Sequence, residues 1–231
     1  MFTSDFYQLI NENDFYIDRT QHIQTIENDG GAHLLRPRRF GKSLLLDMLE
    51  NDYDVAKADE FEQLFGHLAI GKKPTPKHNQ YLVMTWDFST VSAASDAKDI
   101  QQALYRYLNK RIKDFSVYYQ AWLPIEIEIE AEDALASFQS LLTAVRQTPY
   151  RLYLLIDEYD NFANEAMMGQ QTMDFRRYEA LLSSESSVKT LFKTVKSASS
   201  GRSLEKVFIT GISPFLLNDI NSTYNIAKNI Y

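Results

Sequence analysis

A chain of 231 residues with 45% hydrophobic and 24% charged side chains has the make-up of a soluble globular protein, long enough for one large or one and a half ordinary domains. Its 31 acidic residues outnumber the 24 basic ones, for a net charge of −7, which excludes a surface that is basic throughout; contact with nucleic acid would need a local patch. With no cysteine, disulfides, zinc–thiolate sites and thiol nucleophiles are excluded as well.

The opening MFTSDFYQLINEND carries neither the basic nor the apolar segment of a secretory signal. No apolar run approaches a membrane span, LYLLI at 152–156 being strand-sized, so the expected location is cytoplasmic with no membrane partner. In chain order, residues 4–13 predict a short helix, FYID (15–18) a short strand, and residues 19–28 a second helix. Asp29-Gly30-Gly31 marks a turn into the strand AHLLR, which Pro37 ends. Gly41 precedes the helix SLLLDMLENDY, and LFGHLAIGKKPTPKHNQ reads as a loop. YLVMTWDFS (81–89) predicts a strand, residues 96–120 and 131–147 predict helices, and YLLI runs into Asp157-Glu158. A long helix over 174–198, the strand KVFIT (206–210), the turn GISP and a polar tail to Tyr231 complete the pattern. Strands alternating with helices predict βαβ units and a mainly parallel α/β sheet.

The stretch RPRRFGKSLLLDML (36–49) ends like a phosphate-binding loop but has Arg36 where G-x-x-x-x-G-K-[ST] has glycine. In such a loop, backbone N–H groups and a helix N-terminus converge on phosphate oxygens, lysine neutralises the β and γ phosphates, and the hydroxyl holds magnesium. Gly41, Lys42 and Ser43 supply these parts between a predicted strand and a predicted helix. LYLLIDE (152–158) adds an apolar strand ending in an acidic pair, in which Asp157 would hold the metal and Glu158 would act as general base toward water. KVFITGIS offers Thr210 or Ser213 as a polar group near the γ-phosphate, with turn chemistry around Gly211 and Pro214 as the alternative.

Together RPRRFGKS, the preceding DFYQLINENDFYIDRT, the following LFGHLAIGKKPTPKHNQYLVMTWDFS, LYLLIDEYDNFANE and VFITGISPFLLNDI resemble the AAA-ATPase-like domain that precedes PD-(D/E)xK-type nuclease domains in bacterial proteins. The resemblance runs from about Asp5 to the end and implies a single P-loop NTPase domain over 1–231, with a central parallel sheet of about five strands. It makes Arg36 a family feature and implies ATP and Mg2+ as ligands. The segment Arg36, Pro37, Arg38, Arg39, Phe40, Gly41, Lys42, Ser43 and Leu44, together with Thr210, would contact nucleotide; Ser43 and Asp157 would hold the metal; Lys42 and Glu158 would be catalytic. The resemblance implies that family members continue into a lid-like region and a nuclease-like domain, so the expectation is that this stretch lacks both, and no arginine finger is placed.

Two functions follow. One is an ATP-binding, ATP-hydrolysing module that drives or switches an effector domain; the other is a non-catalytic module that binds nucleotide, or DNA through the RPRR loop. Arg38 and Arg39 would meet phosphate, a neighbouring subunit or nucleic acid, or form a solvated basic loop; an oligomer stays open. Asp18-Arg19 reads either as a base contact or as an ion-paired turn, and Asp87 as a cleft residue or a cap. Asp160 and Asn161 shape the acidic loop, and the four histidines show no metal-ligand spacing. The series Tyr105, Tyr107, Phe115, Tyr118, Tyr119 and Trp122 reads as core packing, or as a face covered by a further domain, rather than base stacking.

Overall fold

The computed structural model describes residues 4–28, 32–37, 39–91, 97–161, 187–212 and 228–229. Strands β1 (Ala32–Leu35), β2 (Tyr81–Asp87), β3 (Arg151–Asp157), β4 (Leu204–Gly211) and β5 (Lys228–Asn229) lie in the order β2-β3-β4-β1-β5, each pair parallel. The full-length strands are β2, β3 and β4, with 7, 7 and 8 residues; β1 adds four and β5 two. The expected sheet of about five strands is therefore corrected to a three-stranded parallel core with short additions beside β4.

The three long strands are apolar on both faces, as strands covered on both sides must be. Successive side chains point to opposite faces. Leu82, Met84, Trp86, Leu154 and Ile156 pack with Leu104, Phe138 and Leu191 from α6 (Ala97–Tyr118), α7 (Ala134–Arg146) and α8 (Ser187–Ser199). Val83, Tyr153, Leu155 and Phe208 face the other way, onto a cluster with Phe6, Ile23, Leu46, Leu49 and Phe65. These come from α1 (Phe6–Asn11), α2 (His22–Asn28), α3 (Lys42–Tyr53) and α4 (Phe61–Phe65), beside which lies α5 (Ala69–Lys72). The result is helix, sheet, helix. Each aliphatic or phenyl group fully withdrawn from water contributes roughly 1.5–3 kcal/mol to holding the layers together.

Several expectations change. FYID forms no strand, and Phe15 is 88% exposed; only Tyr16 turns inward, its ring 5.4 Å from that of Phe6. The segment read as the loop LFGHLAIGKKPTPKHNQ begins within α4 and contains α5, because Phe65, Leu68 and Ile70 bury against the second cluster. Of the helix expected over 174–198, the described part is α8; the rest lies outside the described residues. Most of the aromatic series packs: Phe115 and Tyr119 are buried, and Tyr105, Tyr107 and Trp122 cover the first cluster, whereas Tyr118 is 49% exposed. Tyr118 and Tyr119 also donate their hydroxyls to the carboxylate of Asp54, at 2.9 and 2.8 Å.

At the C-terminal end of α3, Asp52 is fully buried, and among the described residues neither carboxyl oxygen has a hydrogen-bond partner. Burial, reinforced by the nearby charge of Glu27, pushes its pKa up to about 8. Folding therefore tightens its hold on a proton that the unfolded chain releases near the ordinary value of 3.8. The stability tied to this group is fully present below that value and is lost as pH rises to about 8. Urea unfolding at pH 5 and pH 8.5 checks this: the stability of Asp52→Asn relative to wild type should be greater at the higher pH than at the lower. Parallel profiles for the two proteins would show that Asp52 is not protonated in the fold.

Candidate functional site

A parallel sheet gathers the C-terminal ends of its strands on one edge, where ligands bind in α/β folds. Here that edge brings together Arg36 after β1, Asp87 and Asp157 in register on β2 and β3, and Gly211 at the end of β4. The loop from Arg36 to Gly41 docks there through the Arg36 N–H, which donates to the Gly211 carbonyl at 3.1 Å. Gly41 caps α3 with φ 77° and no side-chain bond. An added Cβ would meet nothing within 4 Å, so the backbone angle rather than space calls for glycine.

Lys42 begins α3 and is buried, its Nζ donating to the Arg36 carbonyl at 3.1 Å and the Pro37 carbonyl at 3.4 Å. The same ammonium pairs with Glu158 Oε1 at 3.4 Å. Ser43 Oγ donates to Asp157 Oδ2 at 2.6 Å. The other oxygen, Oδ1, accepts from Thr210 Oγ1 and from the Glu158 N–H, the latter at 3.0 Å. A buried carboxylate is thus held by three donors from three parts of the chain, which offsets its loss of water. Lys42, Ser43, Asp157, Glu158 and Thr210 therefore lie together.

The turn after Asp157 is built for this edge. Glu158 has φ 49° and Arg39 in the facing loop φ 67°, left-handed conformations that non-glycine residues occupy at a cost of about 1–3 kcal/mol each. The Tyr159 N–H donates to the Thr210 carbonyl at 3.2 Å, and Asp160 Oδ2 accepts from the Ile212 N–H at 3.0 Å. The Asn161 amide reaches the Phe88 carbonyl at 3.1 Å. Asp160 and Asn161 therefore shape the loop, as expected. Asp87 acts as a cap, its carboxylate accepting from the Ser89 N–H at 2.9 Å.

The remaining loop residues sort by exposure. Arg36 is half-buried, whereas Pro37, Arg39 and Phe40 are exposed. Arg36, Arg39, Phe40, Gly41 and Leu44 line a cavity of about 690 Å³. Arg38 and Ser213 lie outside the described residues. Tyr16, Arg19, His22 and Ile26 also line the cavity; of these the sequence reading singled out only Arg19, as a base contact or part of an ion-paired turn, because FYID looked like a strand. Asp18-Arg19 is not an ion-paired turn: Asp18 accepts from the Thr20 N–H and hydroxyl and from the Ala69 N–H. Burial pushes the Asp18 pKa up, but these hydrogen bonds and the nearby His67 outweigh it and leave the group below its ordinary value.

Among the described residues, no group of three or more His, Cys, Asp or Glu side chains is arranged to hold a metal ion. No helix among them is long and apolar enough to cross a membrane. A family model described as predicted AAA-ATPase matches residues 2–221. The chain belongs to the AAA-ATPase-like family. No curated protein matches it.

In this AAA-ATPase-like chain the site's tightest packing is at Gly211, where a Cβ would fall 2.3 Å from Tyr159 Cε1 and 2.8 Å from Asp160 Oδ1. Tyr159 is fully buried, so neither ring nor strand has room to yield. Gly211→Ala should cost about 1–3 kcal/mol of stability, read as a lower urea midpoint at unchanged slope. An unchanged midpoint would mean that the turn after Asp157 is looser than described.

Proposed function

We propose that this chain is a P-loop NTPase module that binds ATP with magnesium at the sheet edge and hydrolyses it. The observation that carries the reading is the convergence of Lys42, Ser43, Asp157, Glu158 and Thr210 beside a cavity of nucleotide size. Family membership supports the nucleotide itself. The loop Arg36, Pro37, Arg38, Arg39, Phe40, Gly41 would wrap the phosphates, with N–H groups at the start of α3 directed at their oxygens. Lys42 would exchange its two carbonyl partners for phosphate oxygens, a stronger charge-assisted contact.

Magnesium suits the donor set: Ser43 Oγ and Asp157 Oδ2 are hard oxygens 2.6 Å apart, and this ion binds through one or two protein oxygens, with water and phosphate completing its shell. When bound it supplies charge neutralisation at the β and γ phosphates. Thr210 and the Glu158 N–H fix the orientation of the Asp157 carboxylate. Glu158, now paired with Lys42, would turn to a water in line with the γ-phosphorus and take its proton. The water oxygen bonds to phosphorus as the bond to the β–γ bridging oxygen breaks, and ADP leaves with that electron pair. Turnover would drive or switch an effector, in the family's manner a nuclease-like domain.

The second reading, a module that binds nucleotide without turnover, is favoured by the engagement of Glu158 with Lys42. Phosphate release and ATP binding separate the two. Lys42→Ala should weaken ATP binding by at least about tenfold. Glu158→Gln should keep ATP binding and lose about a hundredfold or more in phosphate release. Undiminished binding by Lys42→Ala would overturn the nucleotide site, and wild-type binding without release would leave the switch reading.

A further inference from the structure

Residues 124–130, PIEIEIE, join α6 to α7 without belonging to a helix or strand, yet they alternate as a strand does. The N–H groups of Glu128 and Glu130 donate to Ser140 Oγ at 2.9 Å and Ser137 Oγ at 2.8 Å, both on α7. The Glu130 carbonyl accepts from the Asn109 amide of α6 at 2.8 Å. Ile127 is buried in the first cluster and pins the middle of the segment. Two helices therefore fix one edge of this stretch and one of its side chains.

The opposite edge is open. In extended backbone, neighbouring residues direct their N–H and carbonyl groups to opposite sides. Those of Ile125, Ile127 and Ile129 thus turn away from α7, and among the described residues no hydrogen bond reaches them. Ile125 is 44% and Ile129 40% exposed. Glu126, Glu128 and Glu130 are exposed as well, and among the described residues none of the three forms an ion pair. None of these residues lines the cavity beside the phosphate loop.

We propose that residues 125–129 are a docking edge for an extended basic segment of a partner protein, which adds as a strand with Lys or Arg at alternate positions. The free backbone groups of the isoleucines call for a peptide, because main-chain pairing is how an open strand edge recruits another chain. Charge selects which peptide. Three glutamates two residues apart line one face, so lysines or arginines at the same spacing meet them while the residues between cover Ile125 and Ile129. A second copy of this edge would set glutamate against glutamate. Nucleic acid or an anionic membrane surface would be repelled by the same carboxylates.

Fluorescence anisotropy on the full chain tests this with two labelled heptapeptides, one alternating Lys and Val and one alternating Glu and Val. The lysine peptide should bind about tenfold or more tightly than the glutamate peptide. Its binding should slow amide exchange across residues 124–130 and leave residues 36–45 unchanged. Equal affinities for the two peptides, or no slowing at 124–130, overturns the proposal without needing any variant to fold. Ile129→Pro then separates main-chain pairing from charge, because the N–H it removes has no partner to lose and the residue before it lies in extended chain. It should weaken the lysine peptide about threefold or more beyond the effect of Ile129→Ala. Equal weakening by the two variants also overturns the proposal, leaving an ionic contact only.

Discussion

Donors converge on the buried carboxylate of Asp157 from Ser43 at the start of α3, from Thr210 at the end of β4, and from the N–H of its own successor, and the rest of the site is arranged around these contacts. Those contacts tie together three elements far apart in sequence, Ser43 and Asp157 being separated by 114 positions. They depend in turn on the parallel sheet, which alone brings the ends of β1, β3 and β4 to one edge. Because β4 lies between β1 and β3, Thr210 stands between the loop and the acidic strand. Loss of the sheet order would leave a buried charge without partners, a penalty of several kcal/mol.

The same edge concentrates backbone strain. Of the four non-glycine residues with positive φ among those described, Asn13 and Asn79 have side chains that tolerate the left-handed region, whereas Arg39 and Glu158 do not. Both of the latter sit at the site, one in each of the loops that face each other. Glu158 is held in place by its N–H bond to Asp157 and its pairing with Lys42, so its strain is offset by the charges it would serve. Gly211 allows Tyr159 to lie against the strand end, which sets the turn in which Glu158 stands.

What the sequence made legible was what local pattern encodes. YLVMTWD and RLYLLID read as strands because both faces are buried, and the helix expected after Gly41 begins there, at Lys42. The acidic pair was legible from its place at a strand end. FYID misled because alternation of apolar residues mimics a strand, while its actual setting, with Tyr16 inward and Phe15 in solvent, is decided by α1. The cavity wall, the use of Asp18 by the Ala69 N–H 51 positions away, and the isolation of Asp52 are tertiary facts with no local signature. Strand number was overstated for a related reason: β1 and β5 pair over only four and two residues.

The central claim is that the loop at the start of α3 and the turn after β3 form one nucleotide site. Amide hydrogen exchange with and without magnesium and ATP tests it most directly, because it reports on each segment separately. The account predicts slowed exchange in peptides covering residues 36–45, 157–161 and 208–212 together, with the outer ends of α6 and α7 unchanged. Protection of the loop without the turn, or of neither, would contradict it.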